Sequence, residues 1–262
     1  MLEYYADQTD TGDITILGGP IIDADDLGFL SQAFMEFKQQ QGLRASSPIK
    51  TAGWKDNDRY KAMQKHPDPA KLITACCHFI ANLDEVRLLV CVVDRGERGL
   101  SQTDGDFYLI QNTAKRLQFE VQDRIHEYPE GPRSKWFVAQ PPRKKMGVKA
   151  KMIVDHPGSK LEAIWSEHYS KVWKMAAHPF THLMHLQSSL SFQHCFSSEM
   201  LQIADIVVGA VRSYLRGRPD RFDIILPRFR QSRRGKVDGW GLVFDPKPGE
   251  LWEKFHADYP EL

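Results

Sequence analysis

The chain opens with two runs of β-branched and aromatic residues, Leu2 to Ala6 and Ile14 to Ile22, on either side of Thr9-Asp10-Thr11-Gly12-Asp13. Apolar runs flanking a polar, glycine-containing linker predict two antiparallel strands. Leu27, Leu30, Phe34 and Phe37 then recur at helical spacing up to Gly42. Asp68-Pro69 starts a second helix carrying Leu72, Ile73, Cys76, Phe79, Ile80 and Leu83, because aspartate caps a helix and proline suits its first turn. Val86 to Val93 is a buried-strand pattern ending at Asp94. Phe107, Ile110, Ala114, Leu117, Val121 and Ile125 trace one face of a long helix.

From Pro129 to Lys149 four prolines exclude a continuous helix, and the segment reads as a surface excursion. Lys151 to Val154 is a short strand ending at Asp155, and Ser159-Lys160-Leu161-Glu162 has the form of a capping box opening a helix with Ile164, Trp165, His168 and Val172. A strand is expected within His182 to Phe192. Ser197 or Ser198 then caps a helix running through Tyr214, which Gly217 and Pro219 stop. Phe222 to Leu226 and Trp240 to Phe244 read as further strands. Strands alternating with helices in this order predict an α/β fold, a mixed sheet covered on both faces.

Composition narrows the setting. The 262 residues are 42% hydrophobic and 26% charged, and no apolar run approaches the roughly 20 residues of a membrane span. The start, Met1-Leu2-Glu3-Tyr4, lacks a basic segment followed by an apolar one, so a cytoplasmic protein without a membrane partner is expected. Cys76, Cys77, Cys91 and Cys195 form no CxxC pair and sit in apolar surroundings, as reduced core thiols do. The net charge is +1, but it is unevenly spread. Residues 1–37 hold eight acids and no Lys or Arg, whereas 132–154 and 212–236 each carry +7. Segregation of this kind makes local fields that the total hides. The two basic stretches are either solvated loops or a surface for a polyanion.

An aspartate at the end of, or inside, three apolar elements is the main candidate chemistry. Asp7 follows Leu2 to Ala6, Asp155 follows Met152-Ile153-Val154, and Asp205 interrupts Leu201 to Val208 on a face shared with Leu201, Val208 and Gly209. A carboxylate in such a stripe needs a cation or a donor. If the three converge, their mutual repulsion calls for a divalent ion, and an all-oxygen set suits Mg²⁺ or Mn²⁺. Otherwise Asp7 and Asp155 are strand-end turn residues and Asp205 pairs with an arginine such as Arg212.

Tyr5-Ala6-Asp7-Gln8-Thr9, followed by Ile16-Leu17-Gly18-Gly19-Pro20-Ile21-Ile22, resembles the start of domain-of-unknown-function family 3800. Gln202-Ile203-Ala204-Asp205-Ile206-Val207-Val208-Gly209-Ala210 is similar to that family's Gln-aliphatic-Ala-Asp helix. The two motifs bracket residues 3–216. The resemblance implies a ribonuclease H-like domain over residues 1–217, with a helical insertion over about 24–84 and a basic extension over 218–262. It implies two metal ions on Asp7, Asp155 and Asp205, with Asp94 as a further ligand, and hydrolysis of nucleic acid. Where the family has Glu and Ser after the first aspartate, this chain has Gln8 and Thr9. The fold's acid on the first covering helix has two candidates here, Glu120 and Asp123.

On this reading Lys144, Lys145, Arg212, Arg230 and Arg233 hold phosphates, and Trp136, Phe137, Phe229 and Trp240 either stack on bases or pack. Two other readings stand beside it. The neutral Gln8 admits a silent nucleic-acid-binding or regulatory module of the same fold. His178, His182 and His185 with His194-Cys195 offer zinc ligands, although strand alternation turns His182 and His185 to opposite faces.

Overall fold

The computed structural model describes residues 1–55, 57–127, 149–175, 183, 185–232 and 235–262. β1 (Leu2–Thr11) and β2 (Ile14–Asp23) form the opening hairpin. α1 (Leu27–Gln40), α2 (Lys61–Gln64) and α3 (Pro69–Ala81) precede β3 (Arg87–Asp94), and α4 (Arg95–Arg98) and α5 (Gln102–Glu127) precede β4 (Ala150–Asp155). α6 (Ser159–Met175), β5 (Ser191–Gln193), α7 (Glu199–Leu215), α8 (Asp220–Ile225), β6 (Leu242–Asp245) and α9 (Glu250–Asp258) follow. The strands form one mixed sheet in the order β5-β4-β1-β2-β3-β6. β2 runs antiparallel to both β1 and β3, β4 is parallel to β1, β5 to β4, and β6 to β3.

Strand alternation splits the core in two. Leu2, Tyr4, Ala6, Leu17, Leu89 and Cys91 meet α5 and α6 on one face. Tyr5, Ile16, Val90, Val92 and Ile153 meet α1, α3, α7 and α8 on the other. The expected α/β sheet covered on both faces is therefore present. α7 is buried almost throughout, from Met200 to Val211, which accounts for its nearly unbroken apolar sequence. It reaches the sheet because Gly19 has no side chain: a Cβ there would collide with the Tyr5 carbonyl and with Ala204.

Several local expectations change. β1 does not end at Asp7 but continues to Thr11, so the hairpin turns on Gly12-Asp13 alone and Asp7 is an interior strand residue. The strand expected within His182 to Phe192 falls at its end: among the described residues Ser191–Gln193 forms β5, and Leu186 makes an isolated bridge to Ala150. The polar Gln187-Ser188-Ser189 between them presents no alternating apolar face. Phe222 to Leu226 is helical: Phe222 and Ile225 lie three apart and are both buried, and Asp220 and Asp223 favour a helix start. Ser159 is the first residue of α6 rather than its cap. Glu162 donates its amide to Gly158, and its carboxylate turns to His156, 2.9 Å away.

Ser198, not Ser197, caps α7 by accepting from the Leu201 amide at 3.4 Å, and Asp68 caps α3 by accepting from Lys71 at 2.9 Å. All four cysteines are free and buried. Among the described residues no helix is long and apolar enough to cross a membrane.

Candidate functional site

Asp7, Asp155 and Asp205 do converge. Asp7 stands on the α7 face of β1, two residues beyond Tyr5, and Asp205 on α7 reaches the same point; both are buried. Asp155 arrives from the end of β4, the strand beside β1. The residue that joins them is Lys50, from the segment between α1 and α2. Its ammonium lies 3.9 Å from Asp155 Oδ2 and 3.8 Å from Asp205 Oδ1.

Backbone amides aim the carboxylates. Asp155 Oδ1 accepts from the amides of Cys195 at 2.8 Å and His156 at 3.0 Å, leaving Oδ2 for Lys50. Asp205 Oδ2 accepts from the Thr51 amide, leaving Oδ1 for the same ammonium. Gln202 Oε1, one turn earlier on α7, accepts from the Ile49 amide at 3.1 Å. Gly209, one turn later, leaves room for Thr51, whose side-chain atoms would clash with any Cβ there. The Gln-x-x-Asp-x-x-x-Gly pattern thus grips residues 49–51 along one helix face and delivers Lys50 to the acids. Gly209→Ala is expected to push this segment off α7 and to cost about 1–3 kcal/mol. A melting temperature equal to that of the unmodified protein would sink the account.

Charge at the site is unbalanced, with three carboxylates against one ammonium. Burial, and then the charge of Asp205, push the Asp7 carboxyl well above its usual range; Lys50 partly offsets this and Asp155 adds to it. Repulsion between neighbouring carboxylates acts in this direction. Burial alone would lower the Lys50 ammonium, but Asp205 and Asp7 override it and the net direction is upward. Cys195 lies 3.8 Å from Lys50 and 3.5 Å from the Tyr60 hydroxyl, and burial pushes its thiol up to about 11. A thiol held protonated in this way is a poor nucleophile.

On the other face of β1, Gln8 donates to Asp106 Oδ1 at 3.1 Å. Gln102 donates to the same oxygen at 3.2 Å, and Trp165 to Oδ2 at 3.3 Å. Burial raises the Asp106 carboxyl, and these donors counter it. Asp106 escaped the reading of the sequence, although an acid one turn before the buried Leu109 and Ile110 is the same anomaly that marks Asp205. Lys50 left no such trace, because it sits in an irregular segment and its role depends on where α7 lies. Asp7, Gln8, Lys50, Asp155, His156 and Trp165 line a cleft of about 240 Å³.

Other expected participants are elsewhere. Asp94 lies opposite Ile14, four residues along β2 from the Gly18 that faces Asp7, and caps α4 by accepting from the Glu97 amide at 2.9 Å. Arg212 does not meet Asp205; it donates to Thr9 Oγ1 at 3.0 Å. Arg230 is not on the surface but 2% exposed, paired with Glu120 and Asp123 and stacked over Trp240. Those two acids are thus engaged by Arg230. Phe229 is buried against Phe222. In the stretch 212–236, Arg216, Arg221 and Arg228 also bond within the chain, to Thr11, Ala70 and Asp84. Lys144, Lys145, Arg233, Trp136, Phe137, His178 and His182 lie outside the described residues. Among the described residues no group of three or more His, Cys, Asp or Glu side chains is arranged to hold a metal ion as it stands.

No family model, curated protein or solved structure matches this chain. The functional reading therefore rests on the cleft itself.

Proposed function

We propose that the acidic cleft hydrolyses phosphodiester bonds in nucleic acid with Mg²⁺ or Mn²⁺ held by Asp7, Asp155 and Asp205. One observation carries this reading: Asp155 and Asp205 each have one oxygen fixed by backbone amides and turn the other to a single point, where Lys50 Nζ now stands. The donor set is all carboxylate oxygen, which suits a hard cation, and its negative charge exceeds what one ammonium neutralises. Acids on β1, at the end of β4 and on α7 also follow the distribution implied by the resemblance to family 3800 and a ribonuclease H-like sheet.

Bound there, the cations would lower the pKa of an attacking water and stabilise the leaving oxygen. The chain's own residues do the rest. The amides of Cys195, His156 and Thr51 keep the carboxylates aimed, and burial of Asp7 and Asp205 keeps bulk water from screening them. Lys50 neutralises the acids when no cation is present; once a cation does so, its charge is available to a phosphate.

A second reading, the silent nucleic-acid-binding module, is favoured by the same Lys50 ion pairs and by Gln8 being committed to Asp106. Titration with millimolar Mg²⁺ or Mn²⁺ separates the two. The hydrolase reading expects a rise in melting temperature that Asp205→Asn abolishes, together with cleavage of labelled oligonucleotides that Asp155→Asn and Asp205→Asn both lose. Absence of any metal-dependent rise in the unmodified protein ends the hydrolase reading. Oligonucleotide binding without cleavage then selects the module.

A further inference from the structure

Away from the acidic cleft, the start of β3, the second half of α5 and the stretch 227–240 enclose a cavity of about 720 Å³, against about 240 Å³ for the cleft. That volume falls in the range of small-molecule sites, roughly 300–1,000 Å³. Arg87, the first residue of β3, stands three residues before Val90, which is level with Asp7 across Gly18. The two sites share no lining residue.

Cations outnumber acids around this cavity. Glu120 is wholly buried and both its oxygens are taken: Oε1 accepts from Arg87 at 3.1 Å and from Arg124 at 2.8 Å, and Oε2 accepts from Arg230. Arg124 has a second partner in Asp23 and Arg230 in Asp123, while Arg228 pairs with Asp84 at 2.7 Å. Lys236, exposed at the turn after Ser232, pairs with no carboxylate among the described residues. Five cations thus meet four acids among the described residues. Arg230 is 2% exposed, yet its Nη1 has no hydrogen-bond partner. Arg87, with a side chain 43% exposed, turns Nη1 alone to Glu120. Packing by itself accounts for neither, because a buried donor without an acceptor is costly and an ion cluster built for stability would be closed.

The unspent donors set the ligand's chemistry. Positive charge reaches the cavity from three separate segments, at Arg87, Arg230 and Lys236, and the half-buried Trp240, 4.7 Å from the Arg230 guanidinium, adds an apolar wall. A carboxylate has two oxygens in one plane and is satisfied by a single guanidinium fork. The oxygens of a phosphate diverge and take donors from several directions. We propose that this cavity is a phosphate site, in which Arg87 and Lys236 hold the group in front of the Arg230 guanidinium. The cavity exceeds the size of a phosphate and leaves room for the small molecule that carries it. Arg230 stays on Glu120 and Asp123 throughout, and the charge it does not spend on them favours the anion. The site needs no metal and is independent of the chemistry proposed for the cleft.

The test is isothermal titration calorimetry of the full chain, in chelator at low salt, with AMP, ribose 5-phosphate and inorganic phosphate, and with adenosine as the uncharged control. AMP and ribose 5-phosphate are expected to bind saturably, and adenosine not to bind. Arg87→Ala and Lys236→Glu should each weaken AMP about tenfold, the loss of one charge-assisted contact. Lys236 is exposed and meets no described acid, so Lys236→Glu keeps the fold whatever befalls Arg87→Ala. Inorganic phosphate binding as tightly as AMP supports the site and names the free ion as its ligand; weaker binding of inorganic phosphate supports it and names a phosphomonoester. Heat that does not saturate by about 10 mM AMP, or adenosine binding as tightly as AMP, overturns the phosphate site. AMP affinity unchanged in Lys236→Glu overturns it too, and places the nucleotide in the acidic cleft.

Discussion

Replacing Arg230 with methionine is expected to destabilise the protein by about 3 kcal/mol, the cost of stranding a buried charge. Arg230 is 2% exposed and its principal partner, Glu120, is wholly buried in α5. Burial alone would raise the Glu120 carboxyl, yet Arg230, Arg124 and Arg87 together hold it below its ordinary value. An acid whose folded value is depressed stabilises the fold above its unfolded value and loses that contribution as pH falls through the folded one. Arg230→Met should therefore lower the melting temperature most at neutral pH and progressively less in acid. The double variant Arg230→Met, Glu120→Gln is expected to recover part of the loss, since the fully buried side chain that loses Arg230 is then neutral. Thermal melts from pH 3 to pH 8 measure both effects. A neutral-pH loss no larger than at a solvent-exposed arginine would show that Arg230 is not holding Glu120.

Lys50→Met is expected to cost about 2 kcal/mol at neutral pH without divalent cations, less than at Glu120 because Lys50 is partly exposed and Asp7 can stay protonated. The sign of the pH dependence is opposite to that at Glu120. A carboxyl whose folded value is raised keeps its proton in the native state where the unfolded chain has lost it. Stability then falls as pH rises from the ordinary carboxylate range towards the raised value, and levels off above it. Asp7 contributes this slope in the unmodified protein, and removing Lys50 should extend it to higher pH, because the ammonium lowers the Asp7 carboxyl. On the proposed function Mg²⁺ restores Lys50→Met by more than it stabilises the unmodified protein, as the cation no longer displaces an ammonium. A pH profile superimposable on that of the unmodified protein would refute the coupling of Lys50 to Asp7.

Much of the fold was legible. The opening hairpin, α1, α3, β3, α5, β4, α6, α7 and β6 are all where apolar periodicity, capping residues and glycine or proline stops predict them, and the alternation of strand and helix yields the sheet with two covered faces. One misreading has a local cause. Phe222 to Leu226 is a short apolar stretch, too brief for a period to distinguish a helix from a strand. Of the candidate site, Asp7, Asp155 and Asp205 were visible because each is an acid placed where its neighbours are apolar. Arg230 was misjudged for the complementary reason: its basic neighbours in sequence suggested a surface, whereas Glu120 and Asp123, more than a hundred residues away, draw it inward.

By itself, the sequence determined which positions face a core and which acids interrupt one, since periodicity and the cost of burying a charge are local properties of the chain. Only the tertiary structure decided how those acids are satisfied. It brought Lys50 from an irregular segment to Asp155 and Asp205, through the grip of Gln202, Asp205 and Gly209 on residues 49–51. It also set Gln8 and Asp106 on one face of β1 and Asp7 on the other, and stacked Arg59, Phe196, His194 and His156 beside Asp155. Lys50 with Asp155 and Asp205, Gln8 with Asp106, and Arg59 with Phe196 are pairs distant in sequence. Packing of α7 against the sheet and the order of the strands determine them, and no spacing along the chain encodes either.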